Sequence, residues 1–242
     1  MPRGPSVLFA GPTTHGLPAA CVSDAVDVVR PPARRGDVSR LIAEQRRQGR
    51  APGTLVICDG AFQQVAALGH AELCDALDAG WQVWGVASLG AIRAWEMRHE
   101  GMRGHGRVHA RFARVDDLPD DELTLLHAPM PPWFPLSEAL VEVRMAIEAL
   151  QAEGAITAAA ADAVVRPLAG MWFADRTEAR LRALVDAACG AGSGMAQRVV
   201  TRIRTDAVKR SDLASLLALA PWRTAGATTA ARTPPSAARP AA

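Results

Sequence analysis

The chain reads as an α/β protein: a mostly parallel sheet with flanking helices, followed by a helical second half. Two observations predict this. Through roughly the first hundred residues, short β-branched apolar runs alternate with stretches of helical periodicity, and that alternation implies βαβ crossovers. Beyond about residue 115 the β-rich runs stop and amphipathic helical patterns take over. The expected organisation is an α/β domain over 1–115, a helical region over 116–221 packed on it, and a disordered tail over 222–242.

The elements follow in order. "SVLFA" (6–10) is an apolar strand that ends in the turn-forming "GPTTHG". "AVDVV" (25–29) is a second strand, closed by Pro31 and Pro32. Asp37 then suits the cap of a helix that "QGRAPG" stops. "TLVIC" (54–58) is a third strand, ending at Asp59-Gly60. A helix over about 69–78 ends at Gly80, and "WQVWGVA" (81–87) supplies a fourth strand. Ser88 follows, ahead of the helix "LGAIRAWEMRHE".

In the second half, the acidic start of "LPDDELTLLHA" suits a helix amino terminus. "LSEALVEVRMAIEALQAEG" places Leu136, Leu140, Val143 and Ile147 on one helical face. Helices are expected around 157–168, 177–189 and 195–219. The stretch after Trp222 has almost nothing to bury.

Composition narrows the function. A net charge of +2 over 242 residues is too balanced to mark a nucleic-acid binder. The four cysteines form no C-x-x-C pair, the six histidines show no metal-ligand spacing, and no cofactor motif is present. No apolar run approaches a membrane span, and the chain reads as a cytoplasmic protein. The 27 basic residues are 26 arginines and one lysine, Lys209, in "TDAVKRSDLASLLAL".

In an open parallel sheet, ligands gather at the carboxyl ends of the strands. Ser88 stands at such a strand-to-helix turn, beside backbone N–H groups of Leu89 and Gly90 that suit an oxyanion. The alternative is that Ser88 simply caps the helix. Lys209 shares a helical face with Leu213 and Leu216, where an amine at the edge of apolar surface serves as a base. Asp206 and Asp212 offer the opposing reading, an exposed lysine held by a carboxylate. Asp59 orients a base or binds a donor group, or else belongs to an ordinary turn.

The stretches "VLFAGPT", "PPARRGDV", "VICDGAF", "HAELCDALDAGWQVWGVASLGAIRAWEM", "GMRGHGRV", "LSEALVEVR", "FADRT" and "DAVKRSD" resemble, in order, the TfuA-like family. The resemblance spans roughly residues 6–217. It implies a thiocarboxylate hydrolase that releases sulfide from the carboxyl terminus of a ThiS-like sulfur-carrier protein. A YcaO enzyme places that sulfide into an ATP-activated peptide amide, and the family helps it engage the precursor peptide. The family's Ser–Lys pair carries over to Ser88 and Lys209. Asp59, Arg93 and Glu96 match further motif positions without assigned roles. The first loop departs from the family: Thr13 stands where G-P-S is usual. Were that serine the family nucleophile, the choice of Ser88 would fall. Two rivals remain: a non-catalytic adaptor for the YcaO enzyme, and a phosphate-binding protein using "GPTTHG", which lacks the P-loop Gly-Lys-Ser/Thr ending.

Overall fold

A computed structural model describes residues 4–61, 65–115 and 118–224. Among them, five short strands form one parallel sheet: β1 (Ser6–Phe9), β2 (Val28–Arg30), β3 (Thr54–Ile57), β4 (Gln82–Val86) and β5 (Arg103–His105). Their order is β2-β1-β3-β4-β5. Every neighbouring pair is parallel, with Phe9 beside Arg30 and Ile57, and Ile57 beside Gly85. The expected α/β architecture with a helical second half is therefore the one found.

Period-two alternation distributes the strand residues between two faces. Val7, Phe9, Leu55, Ile57 and Val83 pack under α2 (Asp37–Arg47), α3 (His70–Asp78) and α4 (Leu89–Glu96). Leu8, Val56, Cys58 and Val86 face the other way. That second face is covered from the far end of the chain, by α10 (Val208–Leu219) and α11 (Pro221–Thr224), with Val22 of the short α1 (Ala19–Ser23) against the same cluster. Trp222 is 1% exposed and its indole N–H donates to the Ala25 carbonyl at 3.3 Å. The expected tail over 222–242 is corrected at its start, since residues 222–224 belong to α11; 225–242 lie outside the described residues.

Between sheet and closing helices, α5 (Gly106–Phe112) joins α4 and Val208 in a third cluster. The helices α6 (Leu140–Ala152), α7 (Ala158–Ala169), α8 (Glu178–Cys189) and α9 (Met195–Asp206) bury one another's apolar stripes.

Several expectations need correction. The stretch 118–128 forms only a 3-10 turn, Asp120–Leu123. Glu122 is buried against Arg144 of α6, and Pro129, Pro131, Pro132 and Pro135 bar any helix beyond. Helix α6 begins at Leu140, so Leu136 lies outside the stripe and is exposed. The single helix expected over 195–219 breaks at Ala207, a left-handed residue at φ 30°, which separates α9 from α10. Gly36, rather than Asp37, is the cap of α2; the Asp37 carboxylate accepts from the Arg34 amide at 2.8 Å. Strand β5 has only three residues, one a glycine, too little pattern to read.

Candidate active site at the carboxyl edge of the sheet

The strand order reverses direction between β1 and β3, and such a switch point opens a crevice at the strands' carboxyl ends. Two segments enter it. After β1, Pro12–Thr14 makes one 3-10 turn; after β3, the chain runs through Cys58 to Asp59. Asp59 is 2% exposed and joins the two. Its Oδ2 accepts from the Gly11 amide at 2.7 Å and the Thr13 amide at 3.0 Å, and Oδ1 accepts from the Thr13 hydroxyl at 2.6 Å. The carboxylate fixes the first loop and holds the Thr13 hydroxyl.

Lys209 comes to the same place from the other end of the chain. The left-handed turn at Ala207 starts α10, and Lys209 is its second residue. The lysine is 3% exposed; its Nζ donates to the Leu123 carbonyl at 2.9 Å. Its amide donates to Glu142 Oε1 at 3.2 Å. The reading of an exposed lysine held by a neighbouring carboxylate is overturned. Asp206 faces Arg202 at 3.7 Å, while Asp212 accepts from the Val108 amide at 2.8 Å and so holds the start of α5.

Thr13 and Lys209 line one cavity of about 330 Å³, together with Leu125, Phe134, Glu142, Arg204 and Arg210. The electrostatics agree with this convergence. Burial, then the Asp59 charge, pushes the Cys58 thiol well above its usual range, while Thr13's hydrogen bond and the Lys209 charge pull against it. Cys58 is thus a protonated apolar filler at the base of the crevice. Burial also raises the Glu142 carboxyl, with Lys209 opposing.

Ser88 sits at the next turn along, after β4, and lines neither this cavity nor the one beside α2. It is the cap residue of α4 by position, yet its hydroxyl makes no capping bond. The turn is made by backbone strain instead. Ala87 has φ 65°, and the Ser88 amide closes a three-residue turn on the Val86 carbonyl at 2.7 Å. The oxyanion expectation is half corrected: the Gly90 amide donates to the Cys58 carbonyl at 3.1 Å and is not available. The reason is close packing, since an added Cβ at Gly90 would stand 1.7 Å from the Ile57 carbonyl oxygen. Leu89, the first residue of α4, keeps the position expected of it.

Arg93 and Glu96 lie elsewhere. Arg93 Nε donates to the Leu68 carbonyl at 3.0 Å, and its Nη1 meets Glu96 at 2.6 Å. Glu96 also meets His70 Nε2 at 2.7 Å. This group ties α4 to the start of α3, away from the cavity. Sequence reading missed Arg210 and the Leu123 carbonyl. Arg210 was signalled only by adjacency to Lys209, and a backbone acceptor carries no sequence signal.

These features define a doubly wound α/β protein with a polar crevice at its switch point, closed by a helix from its carboxyl half. The family model described as TfuA-like protein matches residues 59–177, and over that stretch the resemblance to the TfuA-like family is borne out. The match holds Asp59, Ser88, Arg93 and Glu96; Thr13 and Lys209 lie on either side of it. No curated protein matches the chain. Among the described residues, no cluster of ligating side chains suits a metal ion, and no helix is long and apolar enough to cross a membrane.

Proposed function

We propose that this protein hydrolyses the thiocarboxylate of a ThiS-like sulfur carrier and accompanies a YcaO enzyme in peptide-backbone thioamidation. The observation that carries this reading is a buried lysine amine opening onto the same cavity as a carboxylate-oriented hydroxyl. The family resemblance supplies the substrate class; the crevice supplies groups suited to acyl transfer. In this scheme the Lys209 amine takes the hydroxyl proton as the oxygen bonds to the thioacid carbon. The C–S bond then breaks, and Lys209 returns the proton to the departing sulfur, giving hydrosulfide. Water clears the acyl ester by the same proton relay, leaving a carboxylate.

Two hydroxyls reach this edge, and cavity lining favours Thr13 over Ser88 as the attacking group. Sulfide release from a thiocarboxylated carrier tests the scheme. Lys209→Arg keeps the charge but removes base function, so the rate should fall roughly 10²–10⁴-fold. Thr13→Val should match that loss, Thr13→Ser should retain activity, and Ser88→Ala should keep most of it. The reverse pattern for the two hydroxyls would return the nucleophile to Ser88. Full activity in Lys209→Arg would sink the lysine base altogether.

A second reading, a non-catalytic adaptor for the YcaO enzyme and its precursor peptide, has its own observation. Met130, Phe134 and Leu136 stand 68%, 55% and 51% exposed on one loop. Exposed apolar residues grouped in this way suit a protein partner. Pull-down of the YcaO partner by Lys209→Arg, with sulfide release lost, would show both roles in one molecule. Partner binding with no sulfide release by the native chain would leave the adaptor alone.

A further inference from the structure

The cavity contains a second feature that the proton relay does not use. Arg210, next to Lys209, donates from Nη1 to the His15 carbonyl at 3.2 Å and from Nη2 to the Arg204 carbonyl at 2.9 Å. Both partners are backbone oxygens. Its neighbour Arg204, by contrast, meets Glu138 at 2.5 Å and Glu178 at 3.1 Å. Among the described residues, Arg210 is the guanidinium of the cavity wall that meets no carboxylate. A guanidinium carries five N–H donors and stays protonated at any accessible pH, so a charged fork with donors to spare faces the cavity. The chain makes room for it. Gly16 stands at φ 80°, and a Cβ added there would lie 2.7 Å from Arg210 Nη1.

We propose that Arg210 is the anion-binding residue of this cavity and receives the terminal carboxylate or thiocarboxylate of an extended peptide chain. The charge pattern selects that ligand class. One free guanidinium suits a single planar anion, which it binds bidentately. Glu138, Glu142 and Glu178 in the same wall oppose a multiply charged phosphate. Leu125, Phe134, Pro135 and Ile203 supply apolar wall for the residues leading to the terminus. The inference rests on the hydrolase reading only for which chain brings the anion. Under that reading, substrate and product both end in this group, and Arg210 holds the acyl end where Thr13 and Lys209 act.

The probes are hexaglycine with a free carboxylate and its carboxamide counterpart, titrated calorimetrically into the full chain. The carboxylate should bind about tenfold or more tightly than the amide, the scale of a hydrogen-bonded charge. Arg210→Gln should erase the difference, while Arg210→Lys should restore part of it as a point charge. Gly16→Ala, which crowds the guanidinium without removing it, should weaken the preference and guards against a misfolded Arg210→Gln. Equal behaviour of the two probes with the native chain, including no binding of either, overturns the proposal. So does a preference that survives in a folded Arg210→Gln. The hydrolase reading fails separately: a carboxylate preference lost in Arg210→Gln, without sulfide release by the native chain, leaves an anion site and no hydrolase. Sulfide release with an unchanged preference in Arg210→Gln leaves a hydrolase that reads its substrate elsewhere.

Discussion

Two turns on the carboxyl edge of one sheet each present a hydroxyl group, and they are built by opposite means. After β1, Thr13 is held by side-chain chemistry: one buried carboxylate accepts from its amide, its hydroxyl and the Gly11 amide. After β4, Ser88 is held by backbone geometry: a left-handed alanine and a three-residue turn, with no capping bond from its hydroxyl. The polar turn opens on a cavity that a lysine and two arginines share; the strained turn does not line it. The difference teaches that a hydroxyl at a strand-to-helix turn is not enough. What gives the first turn its chemical promise is the second half of the chain arriving opposite it.

The largest expected effect concerns the residue that builds the polar turn. Asp59→Ala leaves two amides and a hydroxyl without their acceptor in a buried place. At about 1–3 kcal/mol for each buried unsatisfied group, unfolding in denaturant should show a loss of roughly 3 kcal/mol or more. Ser88→Ala deletes a hydroxyl with no capping role and should cost under about 1 kcal/mol. Equal losses would break the contrast, because Ser88 would then be as structurally engaged as Asp59.

Much of this is legible in the sequence alone. The continuous apolar runs in "SVLFA" and "TLVIC" are strong signals because both faces of these strands are buried, and Asp59 and Lys209 stand out by residue type alone. What stayed hidden depends on long-range contact. Lys209 reads as exposed or buried with equal ease, since Asp206 and Asp212 flank it; only packing shows that both carboxylates serve other partners. The break at Ala207 has no glycine or proline to announce it. The acidic run 120–122 imitates a helix start, but Glu122 is consumed by Arg144, 22 residues away. A linear reading singles out Ser88 for its strand-to-helix turn, because the cavity that favours Thr13 is walled largely by residues 125–210.

The two sides of the edge should also respond oppositely to pH. On the cavity side, burial raises the Glu142 carboxyl above its ordinary value of 4.5. Its contribution to stability is complete below that value and is lost as pH rises through the folded-state pKa. On the β5 side, burial and then the His105 charge lower the partly buried His109 below its ordinary 6.5. Its contribution is complete above 6.5 and is lost as pH falls toward the folded-state value. Relative to the native chain, Glu142→Gln should therefore gain melting temperature as pH rises above 4.5. His109→Phe, which keeps an aromatic ring against Trp95, should gain as pH falls below 6.5. Parallel shifts for both variants would show that these groups do not dominate the local titration.

The smallest effect tests whether the backbone on the cavity side needs its own strain, as the Ser88 turn does. Ala207 and Ala220 are both left-handed alanines, at φ 30° and 35°, ending α9 and α10 respectively. A left-handed alanine costs about 1–2 kcal/mol and glycine none, although glycine also loses about 0.5–1 kcal/mol through the unfolded chain. Ala207→Gly and Ala220→Gly should each stabilise by up to about 1 kcal/mol, read as a modest rise in melting temperature. Only Ala207 lines the cavity and sets the start of α10, two residues before Lys209. Under the proposed hydrolase reading, a looser hinge there should lower sulfide release severalfold while Ala220→Gly leaves it unchanged. If both variants gain stability and neither loses activity, the bond from Nζ to Leu123 is sufficient to position the lysine, and the bend at Ala207 serves only to bring the chain back to the sheet.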